Sequence, residues 1–135
     1  LTINTVTGKT VLSGGTSTSF LTLDDSGSDF SHQTTGAPSS VRGIADGTGE
    51  FDAVNRRQLN TAYAGIASVA ALAALPQPAP GRHFSLGVGT SYFQGESGVA
   101  MGMKGSLTDT TQFSLGGSYN SAGEGLVNGG IGMSW

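Results

Sequence analysis

Between His83 and Trp135 the chain repeats one pattern four times, in HFSLGVGTSYFQG, ESGVAMGMKGSLT, TQFSLGGSYNSA and EGLVNGGIGMSW. In each segment the large apolar residues fall on alternate positions. They are Phe84, Leu86, Val88 and Tyr92, then Val99, Met101, Met103 and Leu107, then Phe113, Leu115 and Tyr119, and last Val127, Ile131 and Met133. The residues between them are almost all Gly, Ser, Ala or Asn. A period of two places the two sets on opposite faces of a strand. Strands of about ten residues have the length that a tilted membrane crossing needs.

The size of the second set decides which face looks where. A soluble β-protein packs its bulky face inward and charges the outer one. Here the polar face is Gly, Ser and Ala with one Lys, Lys104, too small to solvate a surface well. Such a face suits close approach by something bulky inside a barrel. The apolar face, rimmed by Tyr92, Tyr119 and Trp135, then looks at lipid, with aromatics at the interfacial girdle. The small residues expected to face the lumen are Gly87, Gly89, Ala100, Gly102, Gly116, Gly130 and Gly132. Four strands do not close a barrel, and an open edge in hydrocarbon costs several kcal/mol per unpaired group. Other copies of the chain must close it. Two copies make eight strands, an interior filled by side chains alone, whereas three make twelve and leave room for a plug.

The stretch just upstream supplies a plug. From Gln58 to Gly81 there is no charged residue. Leu59, Ala62, Ile66, Val69 and Ala73 recur at three- and four-residue spacing, a short coiled-coil seam that Asn55 continues upstream as a polar, register-setting position. Asp52 is a candidate N-cap for the helix. A helix from Leu59 to Leu75 is about 26 Å long, close to the ~25 Å apolar band of an outer-membrane barrel. Pro76, Pro78 and Pro80 then end it and turn the chain into the first strand. A single transmembrane helix also fits the length, but it leaves the strands unexplained. Small residues on the helix facing small residues on the strands favour the plug.

Composition narrows the alternatives. Of 135 residues 23 are Gly and only 11 % are charged, unlike an ordinary soluble domain. The net charge of −3 provides no basic footprint for nucleic acid. Cysteine is absent, so there is no disulfide framework or thiolate metal site. Residues 1–50 are polar and rich in Ser, Thr and Gly. LTINTV, TVLSGG and TSFLTLDD read as short strands, and DDSGSD and GAPSS as turns. They hold too few large apolar residues for a core of their own. A β-element completed by neighbouring chains, or a linker, is expected there. Asp24, Asp25 and Asp29 lack the spacing and bidentate Glu of a calcium loop, and His32 and His83 lack further zinc ligands. Ser, His and Asp occur without a context that assembles them, so neither an enzyme nor a cofactor is expected. The chain begins at Leu1 without an initiator Met and reads as a piece of a longer one.

DAVNRRQL (Asp52 to Leu59) resembles the neck motif of the trimeric autotransporter adhesins, the YadA-like proteins. The Ala-rich helix, Gly81–Arg82 and four Gly-rich strands ending on an aromatic residue are similar to that family's C-terminal membrane anchor. GVAMG (Gly98 to Gly102) resembles its second strand, which places a small lumenal residue at Gly102. The resemblance covers residues 41–135 and implies a homotrimer with a twelve-stranded antiparallel barrel, four strands per chain and three helices in the lumen. It implies an outer-membrane location with the N-terminal part on the cell surface. It further implies that the barrel exports and displays its own adhesive passenger. The implied partners are two identical chains, outer-membrane lipid, the barrel assembly machinery reading a C-terminal signal at Trp135, and a host surface ligand bound through the upstream passenger. The expected division is 1–50 stalk or head-like β-segment, 51–80 neck and lumenal helix with its Pro-rich turn, and 81–135 anchor. The competing reading is a soluble trimeric fibre or tail-tip protein, which calls for a charged strand face.

Overall fold

The computed structural model describes residues 10–13 and 19–135, which divide after Ala45 into two compact units. LTINTV lies outside the described residues. The first unit is an antiparallel meander of β1 (Thr10–Ser13), β2 (Ser19–Asp24) and β3 (Gly27–His32). Only two residues, Asp25 and Ser26, join β2 to β3. Asp24 Oδ1 accepts the Ser26 N–H at 2.9 Å, and Gly27 takes a φ of 128° that side chains avoid. The DDSGSD stretch, expected as a turn, is therefore a turn followed at once by a strand. Residues 37–39 continue the pairing along β3, through Ser39 N–H to Phe30 O at 2.8 Å and His32 N–H to Ala37 O at 2.8 Å. Thr22 is buried, while Leu23 and Phe30 remain exposed, so this sheet has little apolar interior.

The second unit holds α1 (Arg56–Ala73) and an antiparallel sheet in the order β4 (Phe84–Phe93), β5 (Glu96–Ser106), β6 (Thr111–Asn120), β7 (Gly125–Met133). Each strand pairs with the next in sequence, so β4 and β7 are the two edges. The β4–β5 connection is the two-residue pair Gln94–Gly95, with φ of 52° and 91°. Positive φ at both central positions is the primed turn whose twist matches a hairpin, and Gln94 accepts the strain. Asn120 closes the β6–β7 turn, its Oδ1 accepting the Ala122 and Glu124 N–H groups at 3.1 and 3.0 Å.

Asn55, not Asp52, caps α1. The Asn55 side chain accepts the Gln58 N–H at 3.1 Å, and Gln58 Oε1 reaches back to the Asn55 N–H at 3.4 Å, a capping box. Gln58 stands three residues after Asn55, whereas the residue three after Asp52 is Asn55 itself, too short to complete the box. Asp52 instead ties its own turn, accepting the Thr48 and Gly49 N–H groups at 2.9 and 2.7 Å. The expected helix from Leu59 to Leu75 is thus displaced upstream, to 18 residues and about 27 Å. It ends where Ala74 N–H still finds Ala70 O at 3.1 Å and Pro76 cannot continue the ladder.

Candidate functional site

The site is the seam where α1 lies on the sheet. Alternation gives the sheet an inner face of Ser85, Gly87, Gly89 and Ser91 on β4 and Gly98, Ala100, Gly102 and Lys104 on β5. It continues as Ser114, Gly116, Ser118 and Asn120 on β6 and Leu126, Asn128, Gly130 and Gly132 on β7. The registers set these residues opposite one another, with Gly87 across from Gly102, Gly102 from Gly116, and Gly116 from Asn128.

The helix presents Ala64, Ala67, Ser68, Ala71 and Leu72 to this face, all buried, and Leu75 just beyond the helix joins them. Ala100 packs with Ala71, Leu72 and Leu75, and Leu126 covers the cluster from β7. At Gly89 and Gly98 the contact is a near-approach of backbones, and at Gly87, Gly102 and Gly116 side chains press on the glycine. A Cβ on Gly89 would collide with the Ala71 carbonyl, and one on Gly87 with the Pro76 ring. On Gly98 it would stand 2.7 Å from Ala67 O, and on Gly116 2.8 Å from Leu72 Cδ2. On Gly102 it would meet Leu75 Cδ1 at 2.7 Å and Leu115 O at 2.6 Å, pressed by helix and neighbouring strand together. Gly130 and Gly132 share the face but not the contact, since a Cβ on Gly130 would meet only Ser114 Oγ at 3.3 Å and one on Gly132 nothing within 4 Å. Gly98 was not among the positions singled out above, although the alternation already places it on the small face.

Directional contacts accompany the packing. Asn120 Nδ2 donates to Ser68 Oγ at 3.2 Å, with both residues buried. Ser91 Oγ donates to Ala67 O, Ser85 Oγ to Pro76 O at 2.9 Å, and Lys104 Nζ to Leu75 O at 2.8 Å. Near the other end of the helix the rings of Tyr63 and Phe93 meet edge to face at 5.6 Å. The ammonium of Lys104 thus meets a backbone carbonyl. Ser68, Ser91 and Asn120 were not anticipated, because a polar atom on a small side chain reads from sequence as mere smallness.

In the second unit two surfaces are left uncovered among the described residues. On the helix, Leu59, Ala62, Ile66, Val69 and Ala73 are all exposed, although three of the five are large and apolar. Ala62, Ile66 and Ala73 each lie two residues from a member of the buried row, about 200° around the helix. Asn55 begins this series in sequence but serves as the cap. On the sheet, Leu86, Val88, Tyr92, Met101, Leu115, Val127 and Ile131 point outward and are more than half exposed, and Trp135 lies beyond β7 fully exposed.

Ahead of the helix a polar clasp fixes the neck. Gln58 pairs with both backbone groups of Gly47, accepting its N–H at 3.0 Å and donating to its carbonyl at 2.9 Å. Asp46 accepts from Arg57 and, at 2.7 Å, from Asn55 Nδ2. The Arg57 and Asn55 hydrogen bonds hold the Asp46 carboxyl below the usual range, and the Gly49 and Thr48 amides do the same for Asp52. Among the described residues no three metal-ligating side chains cluster and no helix is long and apolar enough to cross a membrane, a test that does not bear on strands. The family model of the YadA-like membrane anchor domain matches residues 76–135, from the proline turn through all four strands of this sheet.

Proposed function

We propose that this chain, whose residues 76–135 match the YadA-like membrane anchor domain, is the outer-membrane anchor of a trimeric autotransporter, three copies closing one twelve-stranded barrel around three helices. The barrel exports its own upstream passenger and then holds it at the cell surface as an adhesin. The observation that carries this reading is the helix with two apolar faces. One is already seated on the chain's own sheet. The other, Leu59, Ile66 and Val69 with Ala62 and Ala73, stands exposed on the side that a closed barrel would turn to its lumen, away from lipid. Two further helices would cover it, and the same assembly would pair the open edges of β4 and β7. The outer face of the sheet, bare of charge over its length, suits hydrocarbon and not the solvated shaft of a fibre.

Export requires that the passenger pass through the pore before the helices settle there. The small lumenal residues serve both stages, first giving room to the passing chain and then seating the helix. Gly102 is the position where the two roles separate. The deciding experiment runs the membrane-extracted chain on a denaturing gel with and without heating. A heat-sensitive species at three times the chain mass is expected, and a monomer found in the soluble fraction overturns the proposal. Replacing Gly102 by Ala in a chain carrying its passenger then isolates transit. Stable trimers with less passenger at the surface support it, whereas equal loss of both assigns Gly102 to packing alone.

A further inference from the structure

Between His83 and Trp135 there is one basic residue, Lys104, and it sits on the inner face of β5. A helix ends with carbonyls that lack partners and with a partial negative charge. In α1 no basic residue of the last turn answers that charge. The chain runs on through Leu75, which is buried, into Pro76, which has no N–H to offer. Lys104 Nζ donates to the Leu75 carbonyl at 2.8 Å, and Ser85 Oγ donates to the next carbonyl, that of Pro76, at 2.9 Å. Ser85 and Lys104 are direct cross-strand partners, so two adjacent strands grip two consecutive carbonyls.

We propose that Lys104, with Ser85 beside it, is the positioning residue that latches the end of the helix at one depth in the lumen and so holds the pore shut. The inference rests on the barrel reading above and adds to it a named closing contact. Ala on Gly packing is permissive along the helix axis, and the other bonds from sheet to helix, Ser91 to Ala67 O and Asn120 to Ser68, carry no charge. A charge-assisted bond to one carbonyl is directional and short-ranged, and it is made at a single depth. The four-carbon stem of Lys lets the ammonium swing to the wall while a chain passes and return when the helix end arrives.

The test uses the full chain, extracted from outer membranes, checked on unheated gels and reconstituted in planar bilayers with potassium chloride as the probe. Lys104→Met keeps the stem and removes the charge, and Lys104→Arg keeps a donor. Expected are wild-type trimers that stay mostly closed. The Met variant should form trimers whose open fraction is about tenfold higher or more, the factor that a hydrogen bond to a charged group is worth. The Arg variant should return near the wild type. Met trimers as closed as the wild type overturn the latch and leave the barrel reading intact. Absence of a trimer from the wild type itself overturns the barrel reading and the latch with it. Should the Met variant not assemble, Ser85→Ala decides, being a small change on the same clasp. A raised open fraction supports the latch, and an unchanged one overturns it.

Discussion

Two apolar surfaces of the second unit stand uncovered among the described residues, and they make different demands on whatever covers them. The outside of the sheet is irregular. Val88, Met101, Leu115 and Ile131 are separated by outward glycines such as Gly117 and Gly129, where an added Cβ would find its nearest neighbours no closer than 3.6 Å. A fluid partner fills such gaps without complementary shape, and lipid is one. The far side of α1 is regular. Leu59, Ala62, Ile66, Val69 and Ala73 keep a strict three-and-four spacing, which a solid partner of matching shape requires. The inner seam makes a third case, already closed, where glycine is demanded by the nearness of another backbone. The same residue type therefore means spare room at Gly117 and Gly129 on the outer face and no room at Gly89 and Gly98 under the helix.

The sharpest way to break this comparison is to charge the regular surface. Ile66→Asp would bury three unpaired carboxylates where the proposed helices meet, at several kcal/mol per chain. The band at three times the chain mass should vanish from unheated gels. If it persists, the far side of α1 is not an interface. Next in size is Gly89→Val, which drives a branched side chain into the Ala71 carbonyl. Overpacking of this kind costs about 1–3 kcal/mol or more. It should lower the temperature at which trimers dissociate, while Gly117→Ala on the outer face stays within about 0.5 kcal/mol of the parent, as exposed substitutions do. Equal effects at the two sites would erase the distinction between the faces.

Smaller effects belong to the neck. Asn55→Ala removes the N-cap and the Asp46 contact together and should cost about 1 kcal/mol, read from the thermal midpoint by circular dichroism. Acid should act more gently still. Asp46 and Asp52 have folded pKa values below the ordinary 3.8. Their contribution is therefore present above that value and lost as pH falls through the lower folded ones. Protection of the neck amides, taken relative to the intrinsic exchange rate at each pH, should fall as the pH drops below 3.8, whereas amides of α1 buried on the sheet keep theirs. Loosening of both together would tie the neck to the seam.

Much of the fold was legible because its signals are local. Alternation located β4 to β7 and assigned each residue a face, and the proline run located the end of the helix. The spacing of Leu59, Ala62, Ile66, Val69 and Ala73 picked out a face of α1 that its own sheet leaves bare. The cap was misread because Asp52 and Asn55 are both good capping residues, and only the Gln three positions onward distinguishes them. What the sequence determined by itself is therefore the period, the faces and the smallness of the interior. Only the tertiary structure decided which small residues meet the helix. An α-helix is about 10 Å across and strands lie about 4.8 Å apart, so one helix spans two or three strands and not four. Gly89, Gly98 and Gly116 fall beneath it, Gly87 and Gly102 beneath Pro76 and Leu75 just past its end, and Gly130 and Gly132 lie beyond its edge. No pattern along the chain separates those two groups, because the choice is made by the width of the helix and by the side of the sheet from which the proline turn delivers it.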